Sequence, residues 1–64
     1  MSFDEPEIMT AEEVAELLRT SVNTLYFWRR RKYGPPAAMA GRNLRYRRSD
    51  VLGWLDDQME VYAA

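Results

Sequence analysis

The chain has 64 residues, 47% of them hydrophobic, with nine Lys and Arg against ten Asp and Glu, a net charge of −1, and neither Cys nor His. That length holds one small domain, near the lower limit of what a core sustains without staples. The missing Cys and His exclude disulfides and the usual structural zinc ligands, and no apolar run approaches the roughly 18–20 residues of a membrane span.

The acidic start, Met1-Ser2-Phe3-Asp4-Glu5-Pro6, lacks the features of a signal or transit peptide, so a cytoplasmic protein with no membrane association is expected. Residues 1–8 read as a flexible N-terminal segment, 9–60 as the folded domain and 61–64 as a tail. Thr10-Ala11-Glu12-Glu13 has the form of a capping box, with Thr10 accepting from the Glu13 amide and Glu13 reaching back to that of Thr10. Met9 and Val14 stand at hydrophobic-staple spacing. A first helix is predicted over about 11–18, with Val14, Leu17 and Leu18 as its apolar stripe. Glu12, Glu13 and Glu16 form a solvated face that also suits a helix N-terminus.

Arg19-Thr20-Ser21 is a short connection, and Ser21 is a good N-cap for a second helix over about 22–32. Leu25 and Trp28 face inward there, and the stems of Arg29 and Lys32 continue that stripe. Asn23, Phe27 and Arg30 fall on the opposite face, flanked by Thr24, Tyr26 and Arg31. Two capped helices joined by a three-residue turn form the helix-turn-helix pattern. Tyr33-Gly34-Pro35-Pro36 ends the second helix, Gly34 taking the left-handed position and the prolines blocking continuation. Ala37-Ala38-Met39, a turn at Ala40-Gly41-Arg42-Asn43 and the alternating Leu44-Arg45-Tyr46-Arg47-Arg48 predict a two-stranded hairpin, although Ala is a poor strand former. Ser49-Asp50 caps a third helix over about 50–60, with Val51, Trp54, Leu55 and Gln58 or Met59 inside. Gly53 within it costs roughly 1 kcal/mol relative to Ala, which suggests a close packing contact. The order gives a mainly α fold, a minimal winged helix-turn-helix.

The small net charge conceals a segregation. Residues 1–16 carry six acids and no base, residues 17–49 nine bases and no acid, and residues 50–64 four acids and no base. A basic middle between acidic ends is the footprint of a polyanion-binding surface, with double-stranded DNA as the expected partner. The N-terminal part of the second helix of such a motif meets base edges in the major groove, which selects Val22, Asn23 and Thr24. Asn suits adenine, and Thr and apolar groups suit the thymine methyl. Tyr26 and Phe27 are less ordinary there. Three placements of Phe27 are open: against a thymine methyl, against a partner, or turned into the core. Arg30 and Arg31 suit phosphates or a guanine edge. The cations of Arg29 to Lys32 also complement a helix C-terminus, but four more arginines follow nearby. At the hairpin, Arg42 stands at the tip, Asn43 beside it, and Arg45 and Arg47 project from one face, while Arg48 is suited to a structural role. A helix in one groove and a wing in the next favour bent DNA, with affinity steeply dependent on salt. Without His or Cys the common general base and thiol nucleophile are missing, and the adjacent Asp56 and Asp57 face different ways on a helix. No enzymatic activity, cofactor or metal is expected.

The run Met9-Thr10-Ala11-Glu12-Glu13-Val14-Ala15-Glu16-Leu17-Leu18, the run Ser21 to Arg30 with its Trp28, Pro35-Pro36, Gly41-Arg42, and Arg47-Arg48-Ser49-Asp50-Val51 with Trp54-Leu55 resemble the small phage excisionases, or recombination directionality factors, of the excisionase-like and MerR-like winged helix-turn-helix superfamily. The resemblance covers residues 9–55. It implies a non-catalytic protein that binds and bends prophage attachment-site DNA, several copies sitting cooperatively and head to tail, and that directs a phage integrase of the tyrosine type toward excision. It places Asn23, Tyr26, Phe27 and Arg30 toward the groove and Arg42 at the wing tip. Arg19 stands where the group often has Gly, and Phe27 where a polar or basic residue is usual. MerR-type regulators continue into a dimerisation helix for which this chain has no room, which favours the excisionase. An acidic first or last helix of one copy meeting the basic wing of the next is the expected mode of assembly. A small transcriptional regulator of the same fold is the first alternative, and a protein-interaction module or antitoxin the second.

Overall fold

The structure, a computed structural model, describes residues 7–63, with side chains from 7 to 60. The elements in chain order are β1 (Ile8–Thr10), α1 (Ala11–Leu18), α2 (Val22–Arg30), β2 (Ala37–Ala40), β3 (Asn43–Arg47) and α3 (Arg48–Ala63). Three helices and a small antiparallel sheet make a winged helix-turn-helix, as the pattern of caps, turns and alternation predicts.

Both reciprocal bonds of the capping box form: the Glu13 amide donates to Thr10 Oγ1 at 3.1 Å and the Thr10 amide to Glu13 Oε1 at 2.8 Å. Ser21 caps α2, accepting from the Thr24 amide at 3.1 Å. The α1 stripe differs from expectation. Ala11, Val14 and Ala15 are buried and Leu18 half-buried, whereas Leu17 is 36% exposed. Counting from Ala11, positions i, i+3, i+4 and i+7 share a face, and Leu17 falls outside it.

Both helices of the motif end in the same way. Arg19 takes a left-handed conformation (φ 57), its amide reaching the Glu16 carbonyl and that of Thr20 the Ala15 carbonyl. These paired bonds are a Schellman motif. At α2, Lys32 is left-handed (φ 57), its amide donating to Arg29 and that of Tyr33 to Trp28. The helix therefore stops at Arg30, short of the expected residue 32, and Lys32, not Gly34, occupies the left-handed position of the cap. Gly34 is required for another reason: its φ is 89, and a Cβ there would lie 2.9 Å from Trp28 Cε3. Arg29 and Lys32 are exposed, so their stems do not continue the inward stripe.

The wing is part of a three-stranded sheet in the order β1-β3-β2. β2 and β3 pair from Ala37↔Tyr46 to Ala40↔Asn43, leaving Gly41-Arg42 as a two-residue loop. Gly41 has φ 67 and Arg42 does not have a positive φ, the pattern of a type II′ hairpin turn. The third strand was not expected: β1 pairs Ile8↔Arg47, Met9↔Tyr46 and Thr10↔Arg45 on the other edge of β3. Ile8 thus belongs to the sheet and not to a flexible segment; residues 1–6 lie outside the described residues. Three residues are too few to show a strand period.

α3 begins at Arg48, two residues before the predicted start. The Arg48 amide donates to the Glu7 carbonyl at 2.6 Å, its guanidinium approaches Met9 Sδ at 4.0 Å, and the Ser49 hydroxyl donates to Glu7 Oε2 at 3.1 Å. Arg48 and Ser49 thereby tie α3 to the strand at the chain's start. Val51 is fully buried, and Trp54 and Leu55 half-buried, but Met59 is 63% exposed, and of the described side chains beyond Leu55 only Gln58 is half-buried. Outside its own stretch of helix, Gly53 has no atom within 4 Å of where a Cβ would stand, which removes the close contact expected there.

The core is Met9, Ala11, Val14, Ala15, Leu25, Leu44, Tyr46 and Val51. Each element except β2 contributes to it, and β2's Ala37 packs against it. Beside it Trp28, Tyr33 and Trp54 meet pairwise at 5.3, 5.6 and 5.9 Å between ring centroids. These rings join the end of α2, the segment leading to the wing, and α3.

Candidate nucleic-acid interface

α2 divides cleanly into two faces. Leu25 is fully buried, and Val22, Tyr26 and Trp28 are half-buried against the core. Asn23, Phe27, Arg30 and Arg31 are exposed at spacing i, i+4, i+7, i+8, one outward stripe. Of the candidate readers, Asn23 is thus free of the core, while Val22 and Tyr26 are partly engaged in holding the helix. Thr24 is half-buried and its hydroxyl lies 2.8 Å from Ser21 Oγ, within the cap. Phe27 is 45% exposed and does not turn into the core, which settles one of its three open placements. The guanidinium carbons of Arg30 and Arg31 lie 6.0 and 5.1 Å from its ring centroid, within cation–π range.

At the wing, Arg42 and Asn43 are exposed at the tip. Leu44 and Tyr46 point into the core, so Arg45 and Arg47 take the outer face of β3, as alternation requires. Arg45 is half-buried and donates from Nη1 to the Leu44 carbonyl at 2.9 Å. Arg47 lies 4.0 Å from Glu7, a surface pair worth about 0–1 kcal/mol. The fold thus brings an acid to a wing that is free of acids in sequence.

Three cations outside the expected set are also exposed. Arg29 and Lys32 line a cleft of about 270 Å³ with Trp28, Tyr33, Pro36 and Tyr46, between the end of α2 and the root of the wing. Arg19 is exposed in the turn before α2. Their signal in the sequence was membership of the basic segment; their place depended on where each helix stops. At the root of the cleft, burial raises the pKa of the Tyr46 phenol above its ordinary value, with Tyr26 adding to the shift and Arg29 opposing it.

No helix among the described residues is long and apolar enough to cross a membrane. A capped helix with a cationic outer stripe, preceded by a short turn and followed by an arginine-tipped wing, defines a winged helix-turn-helix DNA-binding domain. Residues 8–59 match the family model described as a helix-turn-helix domain, and the chain belongs to that family, the excisionase-like and MerR-like group. No curated protein and no solved structure matches the chain.

Proposed function

We propose that this protein is a non-catalytic, DNA-bending excisionase that acts in the cytoplasm of a bacterial host, beside prophage attachment sites, and turns a phage integrase toward excision. The observation that carries the reading is the pairing of two cationic contact elements: the outward stripe of α2, with Asn23, Arg30 and Arg31, and the exposed Arg42 on a tight II′ turn. A helix seated in a major groove and an arginine reaching the adjacent minor groove engage together most readily on a bent duplex, where the extra contacts offset the cost of bending. The exposed acids Glu12 and Glu16 on α1 and Asp56 and Asp57 on α3 suit a neighbouring copy's basic wing, which supports head-to-tail assembly along the DNA.

Footprinting on DNA flanking a prophage attachment site, with a promoter fragment beside it, tests the reading. Adjacent protected blocks that fill together at the attachment site, and integrase-dependent excision stimulated by the protein, are the expected result. A single footprint confined to the promoter would replace the excisionase with a transcriptional regulator of the same fold. Protection of neither fragment would point to a protein partner instead.

A further inference from the structure

Phe27 is the only large apolar side chain that α2 exposes. The inward side of the helix is already occupied by Leu25, with Val22, Tyr26 and Trp28 packed around the core. Two guanidiniums flank the ring, Arg31 at 5.1 Å and Arg30 at 6.0 Å from its centroid. The ring therefore stands on the outer stripe beside cations that themselves suit phosphates. Asn23 lies one helical turn earlier on the same stripe.

We infer that Phe27 reads the 5-methyl group of a thymine, while Asn23 reads an adenine about two base pairs away, so that the preferred site carries two A·T pairs at a spacing set by the helix. This rests on the reading that α2 lies in a major groove. The thymine methyl is the apolar group that the major-groove edges of the base pairs present, and adenine offers the donor and acceptor that an Asn amide pairs with. A phenyl ring satisfies no hydrogen bond, so placing it on a G·C edge desolvates polar groups without compensation. Four residues of α-helix advance about 6 Å, close to two base-pair steps of about 3.4 Å. The outward position of Phe27, where a basic side chain would grip DNA of any sequence, thus converts part of a phosphate-gripping face into a base reader.

The test uses the whole chain and a duplex selected by it from a randomised pool. In that duplex each thymine is replaced in turn by deoxyuridine, which keeps the base pair and removes only the methyl. Losing one buried methyl contact weakens binding about threefold to fivefold, and one or two positions are expected to show this with the wild type. Phe27→Ala is expected to be indifferent at those positions, and Phe27→Leu to keep part of the response. Circular dichroism confirms that both variants fold. Equal affinity for every uracil-substituted duplex, a selected site without thymine, or a Phe27→Ala variant as sensitive as the wild type would overturn the inference. If uracil has no effect but binding remains steeply salt-dependent, only the role of Phe27 falls. If no duplex is selected at all, the DNA-reading assignment of α2 falls with it.

Discussion

The Tyr33 amide donates to the Trp28 carbonyl at 2.9 Å, and the same two residues meet edge to face with ring centroids 5.3 Å apart. The first contact closes the end of α2, and the second is the apolar contact that accompanies such a cap. Trp54 of α3 completes the group, so the termination of α2, the direction of the chain into the wing and the docking of α3 depend on one set of rings. The geometry between α2 and the wing therefore rests on these rings.

Trp28→Ala is expected to cost about 3 kcal/mol, at the lower end for a large aromatic because the ring is only half-buried. A domain this small rarely holds more than about 3–5 kcal/mol, so the cooperative thermal transition should be largely lost. Phe27→Ala, on the exposed face, should leave the melting temperature within a few degrees of the wild type. Melts followed by circular dichroism compare the two.

Two substitutions should stabilise. Arg19 is a non-glycine residue at φ 57, a conformation costing roughly 1–2 kcal/mol for an L side chain. Arg19→Gly should recover about 1 kcal/mol, offset in part by the greater freedom of the unfolded chain. Gly53→Ala meets no neighbour and should add roughly 1 kcal/mol of helix propensity. Gly34→Ala should do the opposite, since its Cβ would press on Trp28 at positive φ. Urea unfolding midpoints measure all three.

Glu7 holds a carboxylate against Arg47 and so opposes phosphate at the outer face of the wing. Glu7→Gln should tighten DNA binding by up to about fivefold, the range of a surface ion pair, and less at high salt, with the backbone bond from Arg48 retained. An affinity titration at two salt concentrations checks this.

Tyr46 gives the fold an alkaline limit. Its phenol is raised above the ordinary value of 10.0, chiefly by burial, so the folded state favours the neutral form. The associated stability is intact below pH 10 and is lost as pH rises through the higher folded value. Tyr46→Phe should flatten that alkaline decline, read from unfolding midpoints between neutral pH and about 11.

The sequence revealed most where chemistry is local. The capping box at Thr10–Glu13, the Ser21 cap, the alternation of Leu44 and Tyr46 and the outward stripe of Asn23, Phe27 and Arg30 all follow from adjacent residues and stand in the fold as expected. It revealed less where distant segments meet. β1 carries no period of its own and exists because β3 offers it an edge, and that pairing brings Glu7 to Arg47 and Ser49 across the chain. The end of α1 stands where the sequence placed it, but α2 stops at Arg30 and not at residue 32, because Lys32 occupies a left-handed position that usually signals itself with glycine. Gly53 was misread for the converse reason: a glycine in a helix suggests contact, and here it faces open space.

The most direct measurement is the salt dependence of duplex affinity for the wild type, Arg30→Ala and Arg42→Ala. Each neutralised phosphate contributes about −0.9 to the slope of log K against log salt. With four or more phosphates held, the wild-type slope should be steeper than about −3.5. Arg42→Ala should bind more weakly, bend the duplex less at saturation and lower the slope by about one phosphate. A wild-type slope near zero, or arginine variants that leave affinity, slope and bending unchanged, would contradict the assignment of α2 and the wing as the DNA-binding surface.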